Sequence, residues 1–238
     1  MKTIPLSVIL PTYNESENII PVISRIEKAV NPREIIIVDD NSPDSTGQLI
    51  ARYQVRHNNV KCIINNSRLG LAASIQKGID NARSEYIAWM DADLSHPPEL
   101  LMNMFSRIKS NDIIVASWLI NKGKDERREF VQKKFSLCVN RLCQMVFGNQ
   151  IHAYTSGYIM TTSSILKMLP IRGKYGEYCI DFLVRAKWKK LNITEIPFIC
   201  VSRTSGQSKT APDPLTYIEN GYRYLMTILQ LEIKHLCD

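Results

Sequence analysis

Two carboxylates one residue apart, Asp91 and Asp93, close the apolar run Tyr86-Ile87-Ala88-Trp89-Met90 and lead into Leu94-Ser95-His96-Pro97-Pro98-Glu99. A pair of hard oxygen ligands suits Mg²⁺ or Mn²⁺, which take one or two protein carboxylates and fill their shell from substrate phosphates. If extended geometry continues through Ala92, side chains i and i+2 point the same way and both carboxylates face one ligand. The bland alternative is a pair of turn or capping aspartates ahead of the double proline. Two more polar clusters follow apolar runs in the same manner, Pro11-Thr12-Tyr13-Asn14-Glu15 and Asp39-Asp40-Asn41-Ser42. For the latter the bland alternative is an Asx turn with Asn41, and the two readings are compatible.

These clusters need elements to position them. Leu6–Leu10, Glu34–Val38, Val60–Ile64, Tyr86–Met90 and Ile113–Ala116 read as strands. The unbroken β-branched run at 34–38 points to burial on both faces, as in a parallel sheet. Between the strands lie helical patterns: Ile19, Ile20, Ile23, Ile26 and Val30 on one face, then 47–56, 71–82 and 100–110. Pro97-Pro98 ends the fourth strand and can open the following helix, with Glu99 in its first turn. The first 120 residues therefore alternate β and α, which predicts a doubly wound, mainly parallel sheet with right-handed crossovers. Ligands of such sheets bind outside the carboxyl ends of the strands, where the three polar clusters fall.

The second half is less regular. Asn121–Glu129 reads as a charged loop, and 130–147 as a basic amphipathic helix with apolar Phe135, Val139, Leu142 and Val146 beside Lys133, Lys134 and Arg141. Residues 154–160 read as a turn and strand, 181–190 as a helix, 193–201 as a strand, 202–214 as a polar loop and 217–235 as a final helix.

The 238 residues are 45% hydrophobic and 22% charged, a globular balance, and the formal net charge of +7 favours anionic partners. No aromatic-basic stacking pattern or recognition motif points to nucleic acid. The six cysteines are scattered without a Cys-x-x-Cys, which implies neither a zinc site nor a disulfide frame. Ile4–Leu10 is broken at once by Pro11, so a secretory leader is not expected, and no run reaches the roughly 18 apolar residues of a membrane span. The expected location is the cytoplasm or the cytoplasmic face of a membrane.

Pro11-Thr12-Tyr13-Asn14-Glu15, Val38-Asp39-Asp40-Asn41-Ser42-Pro43-Asp44-Ser45-Thr46, Leu69-Gly70-Leu71-Ala72 and Asp91-Ala92-Asp93-Leu94-Ser95-His96-Pro97-Pro98 occur in that order. Together the set resembles the family 2 glycosyltransferases of the GT-A fold, in the branch that makes polyprenyl- and dolichyl-phosphate sugars. Thr155-Ser156-Gly157-Tyr158, Glu195-Ile196-Pro197, Arg203 and Gly206-Gln207-Ser208-Lys209 fit that branch, and the resemblance covers roughly residues 4–210. It implies a single GT-A domain over 1–238, with a nucleotide-sugar half at 1–120, an acceptor half at 121–215 and a C-terminal helix at 216–238.

The resemblance also implies roles. Pro11, Tyr13, Glu15 and Asp39 would form the nucleotide pocket, with Asp39 near the base and Asp40 nearby. Asp91 and Asp93 would hold Mg²⁺ or Mn²⁺ on the donor diphosphate of a GDP- or UDP-hexose. Arg203, with Ser208 and Lys209 on its loop, would close over the phosphates. Ser136, behind Lys133 and Lys134, would sit near an acceptor polyprenyl or dolichyl phosphate on a helix at the membrane surface. The chain departs from the branch at Trp118, where an arginine is common, at Ala153 and Gln207, and at Gln132, four residues before the acceptor-side serine.

The chemistry implied is a single inverting displacement. Cations stabilise charge developing on the leaving diphosphate. A phosphate acceptor, with a second pKa near ~6, is already ionised and hardly needs a base. His96, the only histidine near the motifs, reads as structural from its place before Pro97-Pro98. A saccharide acceptor would instead need a carboxylate base, for which Glu177 and Asp181 are the candidates by position. A third reading is a nucleotide-sugar-binding module without turnover.

Overall fold

The computed structural model describes residues 2–127, 130–202 and 214–237. Its strands are β1 (Ile4–Thr12), β2 (Pro32–Asp39), β3 (Val60–Ile64), β4 (Tyr86–Trp89), β5 (Ile113–Ser117), β6 (Lys124–Asp125), β7 (Ile159–Thr162), β8 (Ile193–Pro197) and β9 (Ile199–Cys200). Its helices are α1 (Ile19–Ala29), α2 (Thr46–Gln54), α3 (Leu71–Asn81), α4 (Leu100–Ile108), α5 (Phe130–Phe147), α6 (Ser163–Met168), α7 (Tyr178–Trp188) and α8 (Pro214–Cys237).

Seven strands form one sheet in the order β3-β2-β1-β4-β7-β5-β8. All neighbours run parallel except β7, which lies antiparallel between β4 and β5. This is the mainly parallel α/β sheet the alternation predicts, with one rearrangement. The strand read at 154–160 starts at Ile159 and separates β4 from β5, which are consecutive in sequence. Nothing local signals that insertion, because β7 pairs with strands more than forty residues away.

Each side of the sheet has its own core, as strand alternation requires. Leu6, Val8 and Leu10 of β1 pack with α1 and α4 through Ile19, Val22, Ile23, Ile26, Leu101 and Met104. Ile9 points the other way, to a layer of α3, α5, α7 and α8 that includes Ile75, Cys143, Phe182 and Ile228. Ile35, Ile36, Ile37 and Val38 are all fully buried, so the β-branched run is indeed covered on both faces.

Several sequence expectations change in detail. Pro11 does not break β1; the strand runs on to Thr12, with Pro11 opposite Val38 and Thr12 opposite Asp39. The charged loop at 121–129 contains β6, which pairs with β9, so the single strand expected at 193–201 is two. In α5 the buried face is Val139, Asn140, Cys143 and Phe147, and Val146 turns outward. The helix places 143 and 147, one turn apart, in the row that Val139 starts.

Gly78 marks the closest approach of α3 to the sheet. A Cβ built there would meet Ile9 Cγ2 at 2.5 Å. Alanine raises helix propensity by roughly 0.5–1 kcal/mol, but overpacking a tight core costs typically about 1–3 kcal/mol. Gly78→Ala is therefore expected to destabilise the fold by about 1 kcal/mol or more, read as a lower urea midpoint at unchanged slope.

Candidate active site

The ends of β1, β2 and β4 border a cavity of about 120 Å³ lined by Tyr13, Glu15, Asp40, Arg68, Asp91 and Asp93, with Pro11 at its edge. The 11–16 loop is stitched to the β2–α2 loop by its own amides. Asn14 N donates to Ser42 Oγ at 2.9 Å, Glu15 N to Thr46 Oγ1 at 3.0 Å and Ser16 N to Asp44 Oδ2 at 3.1 Å. Burial would raise the Asp44 carboxyl, but hydrogen bonds from Thr46 and Ser16 outweigh it and hold it below the usual range. A depressed carboxyl adds stability above its unfolded pKa and loses it as pH falls, so the stitch weakens in acid.

The adjacent aspartates divide their work. Asp39 turns inward, 1% exposed, and accepts from Thr12 Oγ1 at 3.3 Å, Ser42 N at 3.0 Å and Ser42 Oγ at 2.5 Å. It does not line the cavity, whereas Asp40 does. Asp40 accepts from Asn65 Nδ2 at 2.9 Å, Leu69 N at 2.8 Å and Gly70 N at 2.9 Å. Gly70 has φ +98, and a Cβ there would meet Lys174 O at 2.9 Å, so only glycine fits the turn into α3. Asp40 thus fixes the 65–70 loop, and that loop carries Arg68, whose guanidinium lies 4.1 Å from the Tyr13 ring centroid. Sequence reading missed Arg68 because nothing in its local pattern distinguishes it from a solvated loop charge.

Asp91 and Asp93 reach the site by a turn, which corrects the expected strand geometry. β4 ends at Trp89, the 92–96 segment bends, and Leu94 takes φ 66. Ser95 N donates to Asp93 Oδ1 at 3.0 Å. Asp91 N donates to His96 Nδ1 at 3.1 Å, which puts a neutral ring's proton on Nε2. The buried His96 ring stacks on Tyr158 at 5.1 Å and meets Phe198 edge-on at 5.6 Å. His96 therefore holds the turn.

Both aspartates also line a second cavity of about 220 Å³, so they form the wall between the two. The donor set is all oxygen. Among the described residues no three or more His, Cys, Asp or Glu converge on one metal position. Two carboxylates are the number Mg²⁺ takes when phosphates complete its shell, so the pair fits such an ion.

The second cavity is bounded by Trp118, Arg127, Gln132, Ser136, Thr155 and Tyr178. Ser136 Oγ and Thr155 Oγ1 lie 3.0 Å apart. Fully buried Asn140 joins them: its Nδ2 donates to Thr155 Oγ1 at 2.7 Å and to Ser136 O at 2.8 Å, and its Oδ1 accepts from Thr155 N at 3.1 Å. Trp89 Nε1 donates to Tyr178 Oη at 3.0 Å, and burial pushes that phenol well above its usual pKa. Lys133 and Lys134 do not line the cavity, and Lys134 Nζ sits 5.3 Å from the Phe130 ring centroid. From this part of α5, Gln132, Phe135 and Ser136 are the residues that reach it. Glu177 and Asp181 do not line it either. Glu177 accepts from Lys174 N and Tyr175 N at 2.7 and 3.1 Å, and Asp181 pairs with Arg185 Nε at 2.8 Å. Arg203, Ser208 and Lys209 lie outside the described residues.

The family model for glycosyl transferase family 2 matches residues 7–169. The chain is 30% identical over 227 residues to the dolichol-phosphate mannosyltransferase of Pyrococcus furiosus, covering 92% of this chain and 63% of that protein's length. It is 29% identical over 212 residues to the polyprenol monophosphomannose synthase of Mycolicibacterium smegmatis, covering 85% and 79%. Among solved structures, glucosyl-3-phosphoglycerate synthase from Mycobacterium tuberculosis, in complex with Mn²⁺, UDP-glucose and phosphoglyceric acid, superposes with a TM-score of 0.72 at 16% identity. That match covers 95% of this chain and 79% of that one. The likeness shows a shared GT-A fold.

Removing the Asp40 carboxylate leaves the Leu69 and Gly70 amides without their acceptor and the Asn65 amide with Ser74 Oγ alone. Each unsatisfied buried donor costs about 1–3 kcal/mol. Asp40→Ala is expected to lower stability by at least that much, and Asp40→Asn, which keeps one acceptor oxygen, by less; thermal melts of the two variants check the order.

Proposed function

The chain belongs to glycosyl transferase family 2, and on that premise we propose that it transfers a hexose, mannose or glucose, from a nucleoside diphosphate sugar to a polyprenyl or dolichyl phosphate with inversion. The observation that carries the acceptor assignment is the makeup of the second cavity. Among its described lining residues the only carboxylates are Asp91 and Asp93, and both are committed to the wall shared with the first cavity. Glu177 and Asp181, the bases a saccharide acceptor would call for, are engaged elsewhere. A phosphate acceptor needs no base, since its oxygens are ionised near neutral pH.

Position supports the roles proposed for the residues. Tyr13, Glu15, Asp40 and Arg68 surround the nucleotide, and Asp39 braces their loop from behind. Asp91 and Asp93 would hold Mg²⁺ or Mn²⁺, which neutralises charge developing on the leaving diphosphate. The family resemblance assigns Arg203 and Lys209, which lie outside the described residues, to adding positive charge at that diphosphate. Ser136 and Thr155 present hydroxyls to the acceptor phosphate and keep it in line with the anomeric carbon.

A lipid acceptor also suits the outer surface. α5 and α8 flank the second cavity, to which they contribute Phe135 and Tyr224 in edge-on contact at 5.7 Å. On α8, Ile218, Tyr222, Leu225, Leu229 and Ile233 follow helical spacing and are each at least half exposed. On α5, Phe130, Val131 and Met145 are exposed beside Lys134 and Arg141. Apolar stripes beside basic residues bind anionic interfaces. No described helix is long and apolar enough to cross a membrane; the attachment proposed is through these exposed apolar faces.

Incubation with GDP- and UDP-hexoses, a membrane lipid extract and Mg²⁺ or Mn²⁺ is expected to consume one donor and place its sugar in the lipid phase. Transfer to a soluble saccharide with none to lipid phosphate would overturn the reading. Asp93→Asn is expected to lower turnover by about 10²-fold or more, as loss of a group that stabilises transition-state charge does. Leu225→Glu with Leu229→Glu is expected to abolish co-sedimentation with anionic vesicles while nucleotide binding persists.

A further inference from the structure

An anionic acceptor in the second cavity would face the two carboxylates of the dividing wall, so it needs a cation on its own side. Lys133 and Lys134 are not there, and the sequence places Trp118 and Gln132 at the cavity instead of basic residues. We propose that Arg127 binds the anionic group of the acceptor, a phosphomonoester, on the side opposite Ser136 and Thr155; the assignment rests on the phosphate-acceptor reading above.

Arg127 is the only lysine or arginine among the described residues that line this cavity. Its position is built. Asp125, with a side chain only 6% exposed, accepts from Arg127 Nε at 2.9 Å and Nη2 at 2.7 Å, and also from the Arg127 amide at 3.1 Å. Asp125 is itself fixed, because β6 pairs with β9 and Glu126 N donates to Cys200 O at 2.8 Å. The guanidinium then lies 5.9 Å from the Trp118 ring centroid. Gly123 lets the loop fold back that tightly: a Cβ there would meet Ser117 O at 2.7 Å and Trp118 C at 2.8 Å.

Cys200, whose carbonyl accepts from the Glu126 amide, lines the same cavity as Arg127, Asp91 and Asp93. Burial pushes its thiol up to about 12, Arg127 opposes the rise, and Asp125, Asp91 and Asp93 add to it.

Arginine suits the task. Its planar fork matches phosphate oxygens and stays charged at any physiological pH. A carboxylate along one side of the fork and an aromatic face against it hold it in one orientation, so less rotamer freedom is lost when an anion arrives. The competing account is that Arg127 only compensates buried Asp125. A buried ion pair is weak evidence of a stabilising role, and compensation alone gives no reason for the guanidinium to stand on the cavity wall.

Arg127→Gln and Arg127→Lys separate the accounts. With the donor the native protein consumes and a short-chain polyprenyl phosphate, Arg127→Gln is expected to raise the acceptor KM at least tenfold. The donor KM should stay unchanged, and Arg127→Lys should recover part of the loss. Calorimetry with the same lipid phosphate and bound nucleoside diphosphate should show the same weakening without turnover. An unchanged acceptor KM in Arg127→Gln overturns the assignment. So does loss of nucleotide binding together with acceptor binding, which would mark Arg127 as the structural partner of Asp125. Failure of the native protein to use any polyprenyl phosphate sinks the acceptor reading instead, and the two failures are distinguishable.

Discussion

Asp91 and Asp93 carry like charges on the wall between two cavities, and like charges repel until a cation shares them. The rest of the structure acts against that repulsion. Trp89 ends β4 in the core, His96 accepts the Asp91 amide from between two aromatic rings, and Ser95 caps Asp93. None of these contacts requires a ligand. The two carboxylates are therefore placed before any substrate arrives, and ordering them costs little at the moment of binding.

Placement of the wall also divides the molecule chemically. On one side, the ends of β1 and β2 supply Tyr13, Glu15 and Asp40, pinned by loop-to-loop hydrogen bonds. On the other, α5, α7, α8 and the β7 approach supply hydroxyls and aromatic rings, and Arg127, just after β6, supplies the one described guanidinium. Antiparallel β7 is what joins the sides. By entering between β4 and β5 it carries Thr155 and Ser156 to the wall from a distant part of the chain. The strand carries its own anchor: Ser156 Oγ donates to Ala116 O at 2.6 Å, tying the approach to the end of β5.

Side-chain direction explains why neighbouring residues play different parts. Asp39 and Asp40 are adjacent, yet the pleat turns Asp39 into the loop beneath the site and Asp40 onto the cavity. Lys133 and Ser136 are three residues apart on α5, and only the serine meets the cavity. The same helix buries Asn140 completely and satisfies it through Thr155 and Ser136, so a polar side chain in the core fixes the helix to the loop it must meet.

By itself the sequence determined the parallel α/β half, because alternating apolar runs and helical faces are local patterns that survive any arrangement of their neighbours. It also determined the aspartate pair and the clusters at the ends of β1 and β2, since each stands where an apolar run stops, and the structural part played by His96, from its place before Pro97-Pro98. Tertiary structure alone decided the rest. The insertion of β7, the turn that replaces extended geometry at Ala92, the inward face of Asp39 and the convergence of Arg68 and Arg127 on their cavities all depend on contacts between distant segments. A guanidinium in a charged loop looks the same in sequence whether it meets solvent or a cavity wall. Tyr13 comes to Arg68, and Trp118 to Arg127, only when the chain has folded.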